Sequence, residues 1–198
     1  MQIEELKKQN IIGSILDVGG KETPNNTSNF LNSNVKYLDK YSKNENDLKI
    51  DLEKKFLEDE KNLKQFDNVL LMNVLEHIYD YKNCINICYK LTKKNGRFMG
   101  STPFFFRIHP SPNDYFRYTK EALERVIRDN GFREVKVYPL AGGIFITFYS
   151  NIFLITNKIP FLNNLLLFFF IFLDNFLYLF TKSYKNIMPI GYFFTAIK

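Results

Sequence analysis

Four groups of residues carry the chemistry open to this chain. Ser14-Ile15-Leu16-Asp17-Val18-Gly19-Gly20 is an apolar run closed by an acid and two glycines, a turn that lets a ligand approach the backbone closely. Asp39 ends a second run, Val35-Lys36-Tyr37-Leu38, and lies 22 residues after Asp17. That is close to the ~20-residue spacing at which a carboxylate at the tip of a second strand reaches ribose hydroxyls. A loop-facing charge at a strand end would look the same. Asp51, ahead of Leu52, can accept from an exocyclic amine or cap the segment after it. Lastly, the stretch from Thr102 to Thr119 sets His109, Asp114, Tyr115 and Arg117 among aromatics and three prolines, Pro103, Pro110 and Pro112. The prolines exclude regular structure, which suits a lid or binding loop. The phosphate-binding pattern G-x-G-x-x-G is absent, which argues against a pyrophosphate-bearing dinucleotide.

These groups need a scaffold, and its centre reads from Asp67 to Thr102. Val69-Leu70-Leu71-Met72 is too short for an independent helix and does not alternate, as expected of a strand covered on both faces (Asn68 to Met72). A loop from Asn73 to Asp80 follows. Cys84, Ile87, Cys88 and Leu91 then recur at i, i+3, i+4 and i+7, predicting an amphipathic helix from Tyr81 to Leu91. An Asn95-Gly96 turn and a strand from Arg97 to Ser101 complete a βαβ unit, which builds a parallel sheet. Strands are also predicted at Ser14–Val18, Val35–Asp39, Asp47–Leu52, Arg133–Tyr138 and Pro189–Lys198. Short helices are predicted near the N-terminus around Ile3 and Leu6 and at Ser28–Leu31, with a surface helix over Glu53–Gln65. A further helix is capped by Thr119, has Leu123, Val126 and Ile127 on its inner face, and is ended by Gly131.

The chain has 198 residues, enough for one α/β domain, residues 1–198. Its net charge is +6, with lysines spread along the chain and no basic helix or aromatic RNA-binding signature, so no nucleic-acid partner is expected. Cys84 and Cys88 lie one turn apart on an apolar face and read as reduced core residues, not metal ligands. MQIEELKKQN has no apolar segment of signal-peptide length, and a cytoplasmic location follows as the expectation.

Residues 144–182 change character. Leu165 to Leu173 is an unbroken run of nine apolar residues, and widening it to membrane-spanning length takes in Asn163, Asn164, Asp174 and Asn175. A hydrophobic helical hairpin fits better, buried in a homodimer or lying on the inner face of a membrane. An integral span is the third possibility.

Taken together, the chain resembles class I S-adenosylmethionine-dependent methyltransferases. The specific part is FDNVLLMNVLEHIYD, Phe66 to Asp80, which is similar to the fourth-strand motif of the methyltransferase type 11 and related domains. Lys94-Asn95-Gly96-Arg97 stands where that family usually has Lys-Pro-Gly-Gly, and STPFFFRIHPSPNDYFRYT resembles a subgroup found in surface-glycan and polysaccharide pathways. The resemblance implies a Rossmann-like, doubly wound sheet of seven mostly parallel strands, the last antiparallel, with the hydrophobic insert before it. It implies S-adenosyl-L-methionine as cofactor. Asp17, Gly19 and Gly20 match the motif receiving methionine and ribose, Asp39 the acid for the ribose hydroxyls, and Asp51 with Leu52 the pair that reads adenine. Asn73 to His77 match the loop under the methionine moiety, with His77 positional. In the first motif Gly20 is followed by Lys21-Glu22-Thr23 where the family commonly has a third glycine.

In such an enzyme the protein holds a nucleophile in line with the methyl group, and an alcohol nucleophile also needs a proton acceptor. His109 is the expected base, with Asp114 orienting it or acting instead, and with Tyr115 and Arg117 binding sugar or phosphate. The alternative packs His109 between Ile108 and Pro110 and pairs Asp114 with Arg117 to shape the lid. The expected reaction is O-methylation of a sugar, glycan or other small acceptor. The competing expectation is a membrane-apposed binding or scaffold protein that keeps the fold with little turnover.

Overall fold

The computed structural model describes residues 2–20, 35–55, 63–181 and 184–198. Among these, six strands form one sheet: β1 (Ile15–Val18), β2 (Val35–Leu38), β3 (Phe66–Met72), β4 (Thr92–Pro103), β5 (Arg133–Leu140) and β6 (Gly191–Ile197), in the order β2-β1-β3-β4-β6-β5. β2, β1, β3 and β4 run parallel, and β6 lies antiparallel between β4 and β5. The sheet is therefore Rossmann-like and mixed.

The central unit forms because its apolar residues have two faces to cover. Leu16, Val18, Val69, Leu71, Phe98 and Phe194 pack on one side with helix α2 (Tyr81–Leu91) and helix α3 (Lys120–Asp129). Ile15, Leu70, Met99 and Phe193 pack on the other, where Leu6 of helix α1 (Gln2–Lys7) joins them. Cys84, Ile85, Ile87, Cys88 and Leu91 are all buried, so the predicted stripe of α2 is the face laid on the sheet, and both cysteines are free thiols inside the core. Asp80 caps α2 by accepting from the Asn83 amide at 3.1 Å, and Thr119 caps α3 by accepting from Ala122 at 3.2 Å. Gly131, at φ 96°, lets the chain leave α3 in the left-handed region.

The expected strand over Asp47–Leu52 does not form. Only Leu48 bridges to Leu38, and beyond it the chain bends because Asp51 accepts from the Glu53 amide at 3.1 Å and its carbonyl accepts from Lys54. The described sheet thus has six strands instead of seven. The expected helix at Ser28–Leu31 and the middle of Glu53–Gln65 lie outside the described residues.

Residues 144 to 180 form a helical hairpin, α4 (Ile144–Thr156) and α5 (Pro160–Phe180), placed between β5 and β6. Asp174, 3% exposed, reaches across from α5 to the start of α4 and accepts from the amides of Phe145 at 3.2 Å and Ile146 at 2.7 Å. These amides have no partner within their own helix, and the helix dipole favours a carboxylate there. Gly143 is required at the junction: its φ is 131°, and an added Cβ would lie 2.4 Å from the Asp174 carboxyl carbon. The acid that counts against a membrane span is thus the latch of the hairpin.

Candidate functional site

The sheet order reverses direction at β1, which has β2 on one side and β3 on the other. The loops leaving β1 and β3 therefore diverge, and a cleft must open between them at the carboxyl ends of the strands. A cleft of about 610 Å³ lies there, walled by Gly19, Asp39, Asp51, Leu52, Asn73 and His77 and closed at one end by His109 and Ser111 to Asn113. Gly19 has φ 74°, and a Cβ on it would lie 2.8 Å from a Val74 methyl, so the cleft floor needs a residue without a side chain. Asn73, the residue after β3, has φ 54°, donates its amide to the Ser101 carbonyl at 2.9 Å, and accepts the Ser101 hydroxyl at 3.0 Å on its side-chain oxygen.

Of the acids expected to converge, two line the cleft. The Asp39 carboxylate accepts from the Tyr41 amide at 2.8 Å. Asp51 sits beside it with Lys40 at 3.4 Å; burial alone would raise its pKa, but the Glu53 amide and Lys40 outweigh that and lower it. Asp17 is 1% exposed and lies beneath the loop instead of on the cleft wall. A Cβ on Gly20 would come within 2.1 Å of its carboxylate, so Asp17 supports the turn from below and Gly20 makes room for it.

The expected substrate residues separate in the same way. Arg117 and Asp114 form a two-pronged ion pair, with Arg117 Nη2 donating at 2.7 Å, and the guanidinium also donates to the carbonyls of Phe116 at 2.9 Å and Arg107 at 3.1 Å. With its donors so committed, Arg117 braces the loop and is not positioned to read an acceptor. Arg117 also holds Asp114 well below the usual carboxylate range, against burial, which leaves Asp114 a poor base. Asp114 instead accepts the His109 backbone amide at 2.9 Å and lies 3.3 Å from its ring Nδ1, fixing where the histidine stands. Tyr115 is 43% exposed, packs edge-on against Tyr79, and lines none of the described cavities.

Glu76 was not singled out from sequence. It is fully buried, and neither carboxylate oxygen has a hydrogen-bond partner among the described residues. Two imidazoles face it: His109 Nε2 at 3.6 Å and His77 Nε2 at 3.7 Å from Oε1. Each ring has its Nδ1 at a backbone carbonyl, His77 at Asn113 (2.5 Å) and His109 at Arg107 (3.1 Å). Donation from Nδ1 leaves both Nε2 lone pairs turned toward the acid. Glu76 pushes the His109 pKa up, burial opposes this, and the Arg107 carbonyl and Asp114 add to the rise. One atom from each of the three residues falls within 4.8 Å of the others, a set able to handle a proton or to ligate a cation. The signal in sequence was an acid inside Val74-Leu75-Glu76-His77-Ile78, where the neighbours predict burial.

No family model matches the sequence, and no curated protein resembles it at the sequence level. Solved structures do resemble the fold. A SAM-dependent methyltransferase from Archaeoglobus fulgidus aligns with a TM-score of 0.59 at 18% identity, over 98% of this chain and 90% of that one. Phosphoethanolamine N-methyltransferase 2 of Haemonchus contortus, in complex with S-adenosyl-L-methionine, aligns at 0.57 and 14% identity, over 100% of this chain and 52% of that one. The [4+2]-cyclase SpnF aligns at 0.57 and 12% identity, over 99% and 78%. The architecture is thus the Rossmann-like methyltransferase fold. The cyclase among these structures shows that this fold alone does not fix the reaction.

Proposed function

We propose that the protein transfers a methyl group from S-adenosyl-L-methionine to a hydroxyl of a sugar, glycan or similar small acceptor. The observation that carries this reading is the convergence of Gly19, Asp39, Asp51, Asn73, His77 and His109 on one cleft at the switch point of the sheet. The residues fit the cofactor: the cleft floor admits no Cβ at Gly19, and Asp39 stands where ribose hydroxyls would donate. The complexes of similar fold with that cofactor support the same choice. When bound, the cofactor's sulfonium supplies an electrophilic methyl group, and the chain's residues do the rest. Asp39 would hold the ribose, the Asp51-Leu52 corner would border the adenine end, and Asn73 and His77 would border the methionine end.

His109 is the proposed proton acceptor. Its Nδ1 is held by the Arg107 carbonyl and its Nε2 lies 3.6 Å from Glu76, so the acceptor hydroxyl would have to enter beside Nε2 to give up its proton there, and the Glu76 carboxylate would stabilise the imidazolium. Asp114 and Arg117 are positioning residues that fix the backbone carrying His109. The test is release of S-adenosylhomocysteine when nucleotide sugars or lipid-linked saccharides are added to wild type and His109→Ala. The proposal expects turnover in the wild type and at least about a 100-fold loss in the variant, the usual scale of general-base catalysis. Full activity of His109→Ala would remove it from the chemistry.

The exposed hairpin favours a place at a membrane surface. Phe161, Leu165, Phe168, Phe172, Leu179 and Phe180 of α5 are each more than half exposed. α5 has 21 residues and a mean hydropathy of 1.7 in its most apolar stretch, sufficient by length and composition to cross a bilayer. Its one acid is committed to α4 inside the hairpin while its outer face is apolar, so the hairpin is read as lying against the bilayer.

A further inference from the structure

A second cavity, of about 550 Å³, lies between the two hairpin helices and the loop residues Phe106, Arg107, Ala141, Gly142 and Ile190, and falls in the ~300–1,000 Å³ range of ligand sites. Its walls are mainly apolar: Phe106, Ile146, Tyr149, Phe153, Leu167 and Ile171, with Arg107, Ser150, Asp174 and Asn175 the polar residues on it. Arg107 stacks over the Phe106 ring at 4.7 Å and donates to the Ser150 carbonyl at 3.4 Å, at the side nearest the loop. The methyl-transfer chemistry does not use this space. A small third cavity of about 150 Å³ lies between it and the cleft, sharing wall residues with each. Phe106 and Ile190 wall both the large apolar cavity and the small one, while Asn73 and His109 wall both the small one and the cleft.

We infer that the acceptor is an amphiphile: its hydrocarbon chain occupies the cavity between the hairpin helices, and its hydroxylated head passes Phe106 to reach His109. The inference rests on the methyl-transfer reading and names its substrate class. Two observations select this occupant over a polar acceptor. The cavity nearest the small one beside His109 has mainly apolar walls, and the helices that line it, α4 and α5, are the hairpin whose outer face is bare hydrocarbon. The chain contributes affinity by leaving water, and the geometry of the junction sets which hydroxyl meets His109.

Dodecyl maltoside below its micelle concentration is the probe, with maltose as the chainless control, titrated calorimetrically into the full-length protein. The inference predicts one site, with maltose at least about tenfold weaker, since each buried methylene multiplies affinity several-fold. Leu167→Trp, which fills the cavity, should weaken dodecyl maltoside at least tenfold, whereas Phe172→Ser on the exposed face of α5 should not change it. Ile171→Trp serves if Leu167→Trp does not fold. Equal affinity in the filled variant, several equivalent sites, or competition by self-association seen in sedimentation would each overturn the inference. S-adenosylhomocysteine titrated into the same samples separates the two readings. Its failure to bind the wild type defeats the methyl-transfer reading, while its retention in Leu167→Trp with loss of the alkyl probe supports the alkyl site.

Discussion

Glu76 is where residue chemistry departs most from residue statistics. An uncompensated buried carboxylate costs several kcal/mol, so its burial against two imidazoles calls for positive charge or a shared proton at that point. Because Glu76 raises the His109 pKa above its ordinary 6.5, the pH–rate profile of kcat/KM should inflect above that value. Glu76→Gln should move the inflection down toward ~6.5 while S-adenosylhomocysteine still binds; an unmoved inflection would detach Glu76 from the base. The sign for stability is opposite to that for rate. A raised folded pKa contributes stability that is fully present below pH ~6.5 and fades as the pH rises through the folded value. The same three residues could serve a cation, so turnover should survive exhaustive treatment with EDTA if His109 is the base. Loss with chelator and recovery with zinc would transfer the role to a metal.

Among the elements, β3 and α2 were legible because periodicity and burial agree there: the apolar stripe of α2 is also its buried face. The strand expected over Arg97–Ser101 forms, but β4 starts earlier, at Thr92, and the expected Asn95-Gly96 turn is instead an irregularity inside it, with Asn95 at φ 62°. The strand expected over Asp47–Leu52 reduces to the single bridge at Leu48, because Ile50 and Leu52 are buried without further pairing while Asp51 turns the chain. Cleft residues at strand tips, Asp39 and Asn73, could be read from spacing and resemblance. The roles of Asp17, Arg117 and Glu76 could not, since each depends on a partner distant in sequence or on loop geometry that no local pattern encodes. The hairpin was legible as a pair of apolar helices, but its latch was not: Asp174 finds the α4 amides 29 and 28 residues away. Asp174→Ala should lower stability by about 1–3 kcal/mol, as expected for losing hydrogen bonds to a charged group, and expose residues 144–180 to limited proteolysis. Unchanged melting and cleavage would show that the hairpin holds by packing alone.

At the scale of the whole molecule, neighbouring parts share residues: the cleft proposed for the cofactor, the small cavity at His109, the apolar cavity beside the hairpin, and the hairpin's exposed apolar face. A net charge of +6 adds attraction to anionic lipid. The protein should therefore sediment with anionic vesicles, less so at high salt, and alkaline carbonate should release it; retention in carbonate-washed membranes would mean that α5 spans the bilayer. All of this depends on the cleft receiving an adenosine-bearing methyl donor. The most direct measurement is calorimetric titration of S-adenosylhomocysteine into wild type and Asp39→Ala. The account predicts one site in the wild type and at least a tenfold weaker one in the variant, because the ribose hydroxyls lose their acceptor. No binding to the wild type, or equal binding to both, would contradict it.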